Sequence, residues 1–359
     1  AGDYEIFVGN SVKKCAVVFT YRLDELLVVE QLSEVMCPDD ENLTLLKPGN
    51  KRADGTYDKV YVPSQKPTVD LAKRIEDNLP ESMEITGDIG ITLQDVQAGK
   101  NTINEFVAQL TIEELAQIVR GEGMSTPRVT KGTASAFGGL SDSLFNYAIP
   151  PACTADGPSG LRMEGKATQL PIGTALSASW NPKLVRELYT MEGMELCRNE
   201  VDTLLGPGVN IHRHPLNGRN FEYYSEDPYL SGTMSVASTG GIKDGGAWGT
   251  IKHFALNSQE SHRFKIDAVC SERAIREIYL KSFEMAVKEG TVMTLMTSYN
   301  PINGHWAASN YDLCTTVLRE EWGYKGIVMT DWWAKMNDVV EKGEESNQKT
   351  RDMVRSQND

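Results

Sequence analysis

From Thr111 onward the chain alternates short apolar segments with stretches of helical periodicity, and this alternation limits the possible folds more than any other feature. Apolar runs fall near Ile149 to Ala155, Gly173 to Ser179, Thr203 to Ile211, Gly249 to Phe254, Val292 to Ser298 and Lys325 to Thr330. Runs this short, lacking polar alternation, suit strands buried on both faces of a parallel sheet. Helix signals lie between them. Thr111-x-x-Glu114 forms a capping box ahead of Ile112, Leu115, Ile118 and Val119 on one face, and Gly121 closes that helix. Asn181-Pro182 puts an N-cap before a proline at the first helical position, with Leu184 and Leu188 following. Strands spaced by helices predict a parallel α/β sheet. Without a Gly-rich dinucleotide turn they favour a TIM-type (β/α)8 barrel over a nucleotide-binding sheet. A closed barrel needs eight strands. The tail from Glu344 to Asp359 is polar and adds none, so the barrel is expected to be incomplete at its C-terminal end.

Ahead of it, Tyr4, Ile6 and Val8 alternate with polar neighbours, Gly9-Asn10 gives a turn signal, and Val17, Phe19, Tyr21 and Leu23 alternate again. That pattern predicts a hairpin. Two strands alone are marginal in water, so residues 1–48 are expected to be the last strands of a β-sandwich. Lys47-Pro-Gly-Asn-Lys51, Ala53-Asp-Gly55 and Pro63-Ser-Gln-Lys-Pro67 are turn-rich, and residues 49–100 read as a linker with one helix around Val69 to Asn78. The barrel domain then occupies residues 101–359, and the chain is expected to be a piece cut at both ends.

Composition excludes some partners. The formal charge of −14, with 36 scattered Lys and Arg, argues against nucleic acid, whose phosphates need clustered cations. No run approaches the ~20 apolar residues of a membrane span. The six cysteines lack C-x-x-C spacing and sit mostly in apolar segments, which predicts buried, reduced thiols and a cytoplasmic setting.

The residues that could carry chemistry stand where apolar runs end, which is where barrel enzymes hold their sites. Asp331 follows Lys325-Gly-Ile-Val-Met-Thr330; a carboxylate there is costly unless paired, although it could also serve as an N-cap. Asp156 lies in Thr154-Ala-Asp-Gly-Pro-Ser-Gly-Leu-Arg162, where an Asx-turn is the plainer use. Lys252-His253 ends Gly249-Thr-Ile-Lys-His-Phe-Ala-Leu-Asn257-Ser-Gln259-Glu260. Adjacent strand residues diverge, so both reach one ligand only if the strand ends or bulges there. Tyr299 follows the run at Val292 to Ser298. His212-Arg-His214 lacks the carboxylate or thiol company of a metal site, so no metal and no cofactor is expected.

Taken together these stretches, over about residues 85–340, resemble glycoside hydrolase family 3, the β-glucosidase family. Thr330-Asp331-Trp332 is similar to the family's [ST]-D-W motif and implies that Asp331 is the nucleophile, with Trp332 beside it as an apolar sugar platform. Asp156 and Arg162 match D-G-P-x-G-x-R, whose Asp accepts from hydroxyls at the far end of the sugar. Asn217-Gly-Arg219-Asn-Phe-Glu222-Tyr-Tyr-Ser-Glu226-Asp227-Pro resembles G-R-x-x-E-x-x-x-E-D-P and implies that Arg219 reaches the sugar. The K-H-F...N-x-Q-E element implies that Lys252 and His253 hold hydroxyls next to the reacting carbon. Arg263 fits the arginine near the nucleophile, and Tyr299 fits the tyrosine whose hydroxyl points to it. The hairpin resembles the end of the fibronectin type III-like domain that such enzymes often carry.

The resemblance implies a retaining β-glucosidase acting on β-glucosides and cello-oligosaccharides by double displacement through a glycosyl-enzyme. No acid/base stands out, and Glu260 matches only a structural position. In many members that Glu lies on a separate domain, and the hairpin's place ahead of the barrel suggests the family's inverted domain order. The acid is therefore expected from a missing domain or a companion chain. The alternatives are a β-xylosidase or arabinosidase of the same family, a noncatalytic sugar-binding chain, and a metal-dependent barrel hydrolase.

Overall fold

The computed structural model describes residues 1–359 apart from Val12, Ser125, Glu341 and Lys342. The chain divides into two compact units, Ala1–Ser33 and Glu34–Asp359. In the first unit β1 (Gly2–Ser11) pairs antiparallel with β2 (Lys14–Leu23). The turn expected at Gly9-Asn10 lies further on, because Gly9 pairs with Cys15 and Ser11 with Lys14. Tyr4, Ile6, Phe7, Val17, Phe19 and Tyr21 are all exposed.

The second unit begins with Val35 and Met36 in the main hydrophobic core. Their amides donate to Glu272 and Asp312. A second antiparallel hairpin, β3 (Thr44–Lys51) with β4 (Tyr57–Pro63), runs into the stretch read as linker. Its turn-rich composition concealed it: Pro48 sits in the strand beside a register shift, where a missing N–H is tolerated. The helix expected near residues 69–78 is Leu71–Asp77, capped by Asp70.

The site is built on a six-stranded sheet. Its strands are β5 (Ser135–Gly138), β6 (Pro151–Asp156), β7 (Thr203–Leu205), β8 (Trp248–Phe254), β9 (Thr294–Thr297) and, after the short pair β10 (Pro301–Ile302) and β11 (His305–Trp306), β12 (Ile327–Thr330). Their order is β12-β9-β8-β7-β6-β5. All pairs are parallel except β5 with β6. The sheet curls like part of a barrel but, among the described residues, has six strands rather than eight. Leu204, Ile251, Leu295 and Val328 are fully or almost fully buried along it, as strands covered on both faces require. The Thr203, Thr250 and Thr294 hydroxyls hydrogen-bond one another across β7, β8 and β9, which satisfies their polar atoms within the buried layer.

Two predicted strands differ. Residues 173–179 form the helix Gly173–Ala178, because a short apolar run does not itself distinguish helix from strand. Gly173 packs so tightly on the following site loop that a Cβ there would lie 2.2 Å from the Glu222 carbonyl oxygen. The strand expected over 203–211 stops at Leu205, before Gly206-Pro207, where the proline lacks a ladder donor. Strand β5 carries no strong alternation and was not legible.

Helices follow their signals more closely. Thr111 caps Ile112–Arg120 with Glu114 completing the box, and Asn181 caps Pro182–Arg198. Cys153 and Cys314 are buried as expected, whereas Cys15 and Cys197 are exposed. Among the described residues no helix is long and apolar enough to cross a membrane.

Candidate active site

Because β6, β8, β9 and β12 run parallel, the residues at their C-terminal ends emerge on one side of the sheet. Asp156 is the last residue of β6, and Gly157 turns the chain away with φ +134° in space that a Cβ would overfill, 1.9 Å from the Gly160 carbonyl oxygen. Asp331 follows β12 directly, and Tyr299 comes just after β9.

Lys252 and His253 both reach the cluster although they are neighbours on β8. The register against β9 shifts between Lys252 and Phe254, a bulge that turns both side chains inward. The Lys252 ammonium donates to Asp156 Oδ1 at 3.1 Å, while His253 Nε2 lies 3.7 Å from Asp331 Oδ2. Both side chains are almost fully buried.

Electrostatics divides the two aspartates. Burial alone would raise Asp156, but Lys252 and Arg162 outweigh it and hold the carboxyl below the ordinary range. Arg162 reaches Asp156 Oδ2 at 3.0 Å and is otherwise largely exposed. Asp331 goes the other way: burial raises it, and the Trp332 amide, Lys252, Tyr299 and Arg219 recover only part of that. The Trp332 amide donates to Asp331 Oδ1 at 2.8 Å. Burial together with Asp331 pushes the Tyr299 phenol up. Burial, reinforced by Arg219, Lys252 and Arg263, pushes His253 well below its usual value, so its imidazole is neutral.

Around this centre Arg219 is paired with Glu222, and Arg263 with Glu260 at 2.9 Å. The Arg263 guanidinium lies over the Tyr299 ring, 4.7 Å from its centroid. An open pocket of about 390 Å³ adjoins Asp156, lined by Arg162, Arg219, Phe221, Glu222 and the Pro158–Ile172 loop. Asp156, Lys252, His253, Asp331 and Tyr299 thus form one cluster with Arg162, Arg219 and Arg263 at its edge. Trp332, expected as the sugar platform, borders a different groove together with Trp333. Sequence reading overlooked Asn210 and Tyr223, which contact His253; both stand in loops without periodicity, and only the fold brings them there. Among the described residues no group of three or more His, Cys, Asp or Glu could hold a metal.

A curled, mostly parallel sheet thus gathers a buried carboxylate, a neutral imidazole and paired cations at its strand ends, where barrel enzymes hold their sites. The profile of the glycosyl hydrolase family 3 N-terminal domain matches residues 89–355, and the chain belongs to that family. A β-glucosidase of Ruminococcus albus is 48% identical over all of this chain and 37% of its own length. An exo-α-(1→6)-L-arabinopyranosidase of Bifidobacterium breve is 42% identical over 64% of this chain and 30% of its own. The solved structure of a β-glucosidase from Paenibacillus barengoltzii superimposes with a TM-score of 0.96 at 62% identity, covering all of this chain and 40% of that one. The chain therefore spans well under half the length of these relatives.

Proposed function

We propose that this chain carries the nucleophile and the sugar pocket of a retaining β-glucosidase that removes terminal nonreducing β-D-glucosyl residues. The observation that carries the reading is Asp331, buried at a strand end against His253 and Tyr299, with Asp156 and Lys252 paired beside it. One Asp331 oxygen attacks the anomeric carbon as the bond to the leaving oxygen breaks, and a carboxylic acid protonates that oxygen. Its conjugate base then takes a proton from water as the water displaces Asp331. Lys252, His253, Asp156, Arg162 and Arg219 hold the sugar hydroxyls, and Arg263 and Tyr299 orient Asp331.

The pocket carboxylates make poor candidates for the acid: Asp156 is held by Lys252 and Arg162, Glu222 by Arg219 and Glu260 by Arg263. The acid/base is accordingly read as coming from outside residues 1–359, on a further domain or a companion chain. The exposed apolar side chains of β1 and β2 support reading that hairpin as part of a fibronectin type III-like sandwich. The arabinopyranosidase relative supports a second reading, a pentosidase. Asp156 favours the hexose, because a pentopyranoside has no exocyclic hydroxymethyl to grip.

Substituting Asp331→Ala is expected to abolish hydrolysis of an activated aryl glucoside with the circular dichroism spectrum unchanged. A mechanism-based fluoroglucoside should add its mass to the peptide containing Asp331. Labelling of another peptide would sink the assignment, and no hydrolysis by the intact protein would favour a noncatalytic sugar-binding chain.

A further inference from the structure

His253 is held from behind by a closed set of hydrogen bonds. Its amide donates to Asn210 Oδ1 at 2.8 Å, and Asn210 Nδ2 donates to its carbonyl at 2.8 Å, which fixes the orientation of the Asn210 amide. Asn257 Nδ2 donates to the Tyr223 hydroxyl at 2.9 Å and faces Glu260 Oε1 at 3.3 Å. A carboxylate accepts only, so that atom is the nitrogen and Asn257 is also oriented. The Tyr223 hydroxyl lies 3.2 Å from His253 Nδ1, and both side chains are buried.

The proton count then has one solution. Tyr223 accepts from Asn257 and must place its own proton, and the acceptor in reach is the Nδ1 lone pair. If Nδ1 carried the proton instead, it could donate at 3.3 Å to the second lone pair of Asn210 Oδ1, beside the His253 amide, so the choice of tautomer falls to Tyr223. The buried Tyr223 hydroxyl would then lose its acceptor, and the Asn257 amide hydrogens, 3.5 Å from Nδ1, would face another donor. A buried donor left without an acceptor is costly enough to fix one tautomer. We infer that Tyr223 is a positioning residue that sets the tautomer of His253, leaving Nδ1 bare and Nε2 protonated toward Asp331 and the sugar. His253 thereby meets a bound sugar hydroxyl as a donor, while Lys252 and the carboxylates supply the other contacts. This functional consequence rests on the sugar-pocket reading; the tautomer itself does not.

The test is the ¹⁵N spectrum of the histidine-labelled protein at neutral pH. There are five histidines to assign, and the His253 signals are those lost in His253→Gln. The expected result is an acceptor-type shift at His253 Nδ1 and a protonated-type shift at Nε2, with Tyr223→Phe moving both toward a tautomeric mixture. A protonated Nδ1 in the unsubstituted protein overturns the proposal, as does a Tyr223→Phe spectrum identical to it. If Tyr223→Phe does not fold, incorporation of 3-fluorotyrosine, a stronger donor of the same shape, should shift the Nδ1 resonance; no shift overturns the proposal as well. None of these readouts needs glucosidase activity, so failure of the catalytic reading would be seen separately, as inactivity with the tautomer intact.

Discussion

As the proposed nucleophile Asp331 must be ionised, yet burial works against its charge, and the Trp332 amide, Lys252, Tyr299 and Arg219 recover part of what burial removes. The sign of the pH dependence follows. Turnover of an aryl glucoside should fall as pH drops through a midpoint above the ordinary carboxylate range. Lys252→Met, which removes one of the groups favouring the charge, should move that midpoint of kcat/KM to higher pH. A midpoint that stays in place or moves down would mean that Lys252 does not act on Asp331. Asp156 is the opposite case, a carboxylate kept charged by Lys252 and Arg162 and free to accept hydroxyls. Losing a charged hydrogen-bond partner to a sugar hydroxyl costs on the order of 1.5–3 kcal/mol, or about ten- to a hundredfold. Asp156→Ala should therefore harm glucoside hydrolysis by that factor and xyloside hydrolysis much less, and equal losses on both would place Asp156 outside the sugar site.

The helix Pro182–Arg198 buries a carboxylate away from the site. Glu192 is 2% exposed on its inner face, and burial with Glu195 nearby pushes the carboxyl up to about 8, the Gly160 amide offsetting only part of this. A raised folded-state value means the folded chain keeps a proton that the unfolded chain gives up. Stability therefore falls as pH rises between the ordinary Glu range and about 8. The penalty at alkaline pH is on the order of several kcal/mol. Glu192→Gln should remove it, raising the urea midpoint at pH 8.5 much more than at pH 5, and equal effects at both would show that Glu192 is not buried as a neutral acid. The same element shows how far local signals reach. Asn181 and Pro182 announce its start, but nothing local indicates that Glu192 is turned inward.

For the molecule as a whole, the sheet ends in two edge strands, β5 and β12, that border one groove of about 910 Å³ lined by Phe137, Ile327, Met329, Trp332, Trp333 and Met353. Their outer edges are taken in part, β5 by Glu122 on Ala136 and β12 by Asp359 on Val328, which blunts them against pairing with another strand. The pairing of Asp156, Glu222 and Glu260 with cations also has a kinetic consequence. A good leaving group needs little protonation, so the 359-residue chain should turn over an activated aryl glucoside while leaving cellobiose nearly untouched. If a purified monomer hydrolyses cellobiose at an ordinary rate, the acid lies within the chain and Glu260 is the first residue to mutate.

Asp156, Lys252, His253, Tyr299 and Asp331 could be singled out because each stands at or beside the end of an apolar run, where a polar group is costly unless the fold uses it, while the roles expected of them came from the family resemblance. The caps at Thr111 and Asn181 were legible because they act through their own neighbours in the chain. Strand β5, the helix Gly173–Ala178, the hairpin of β3 and β4 and the inward turn of Lys252 with His253 were decided by distant partners: β6, the Glu222 loop, the paired strand and the register against β9. Short runs carry too little periodicity to choose between helix, strand and turn without such contacts. Asn210 and Tyr223 show the limit most plainly, since each is unremarkable where it stands in sequence, and only folding sets them against the His253 ring.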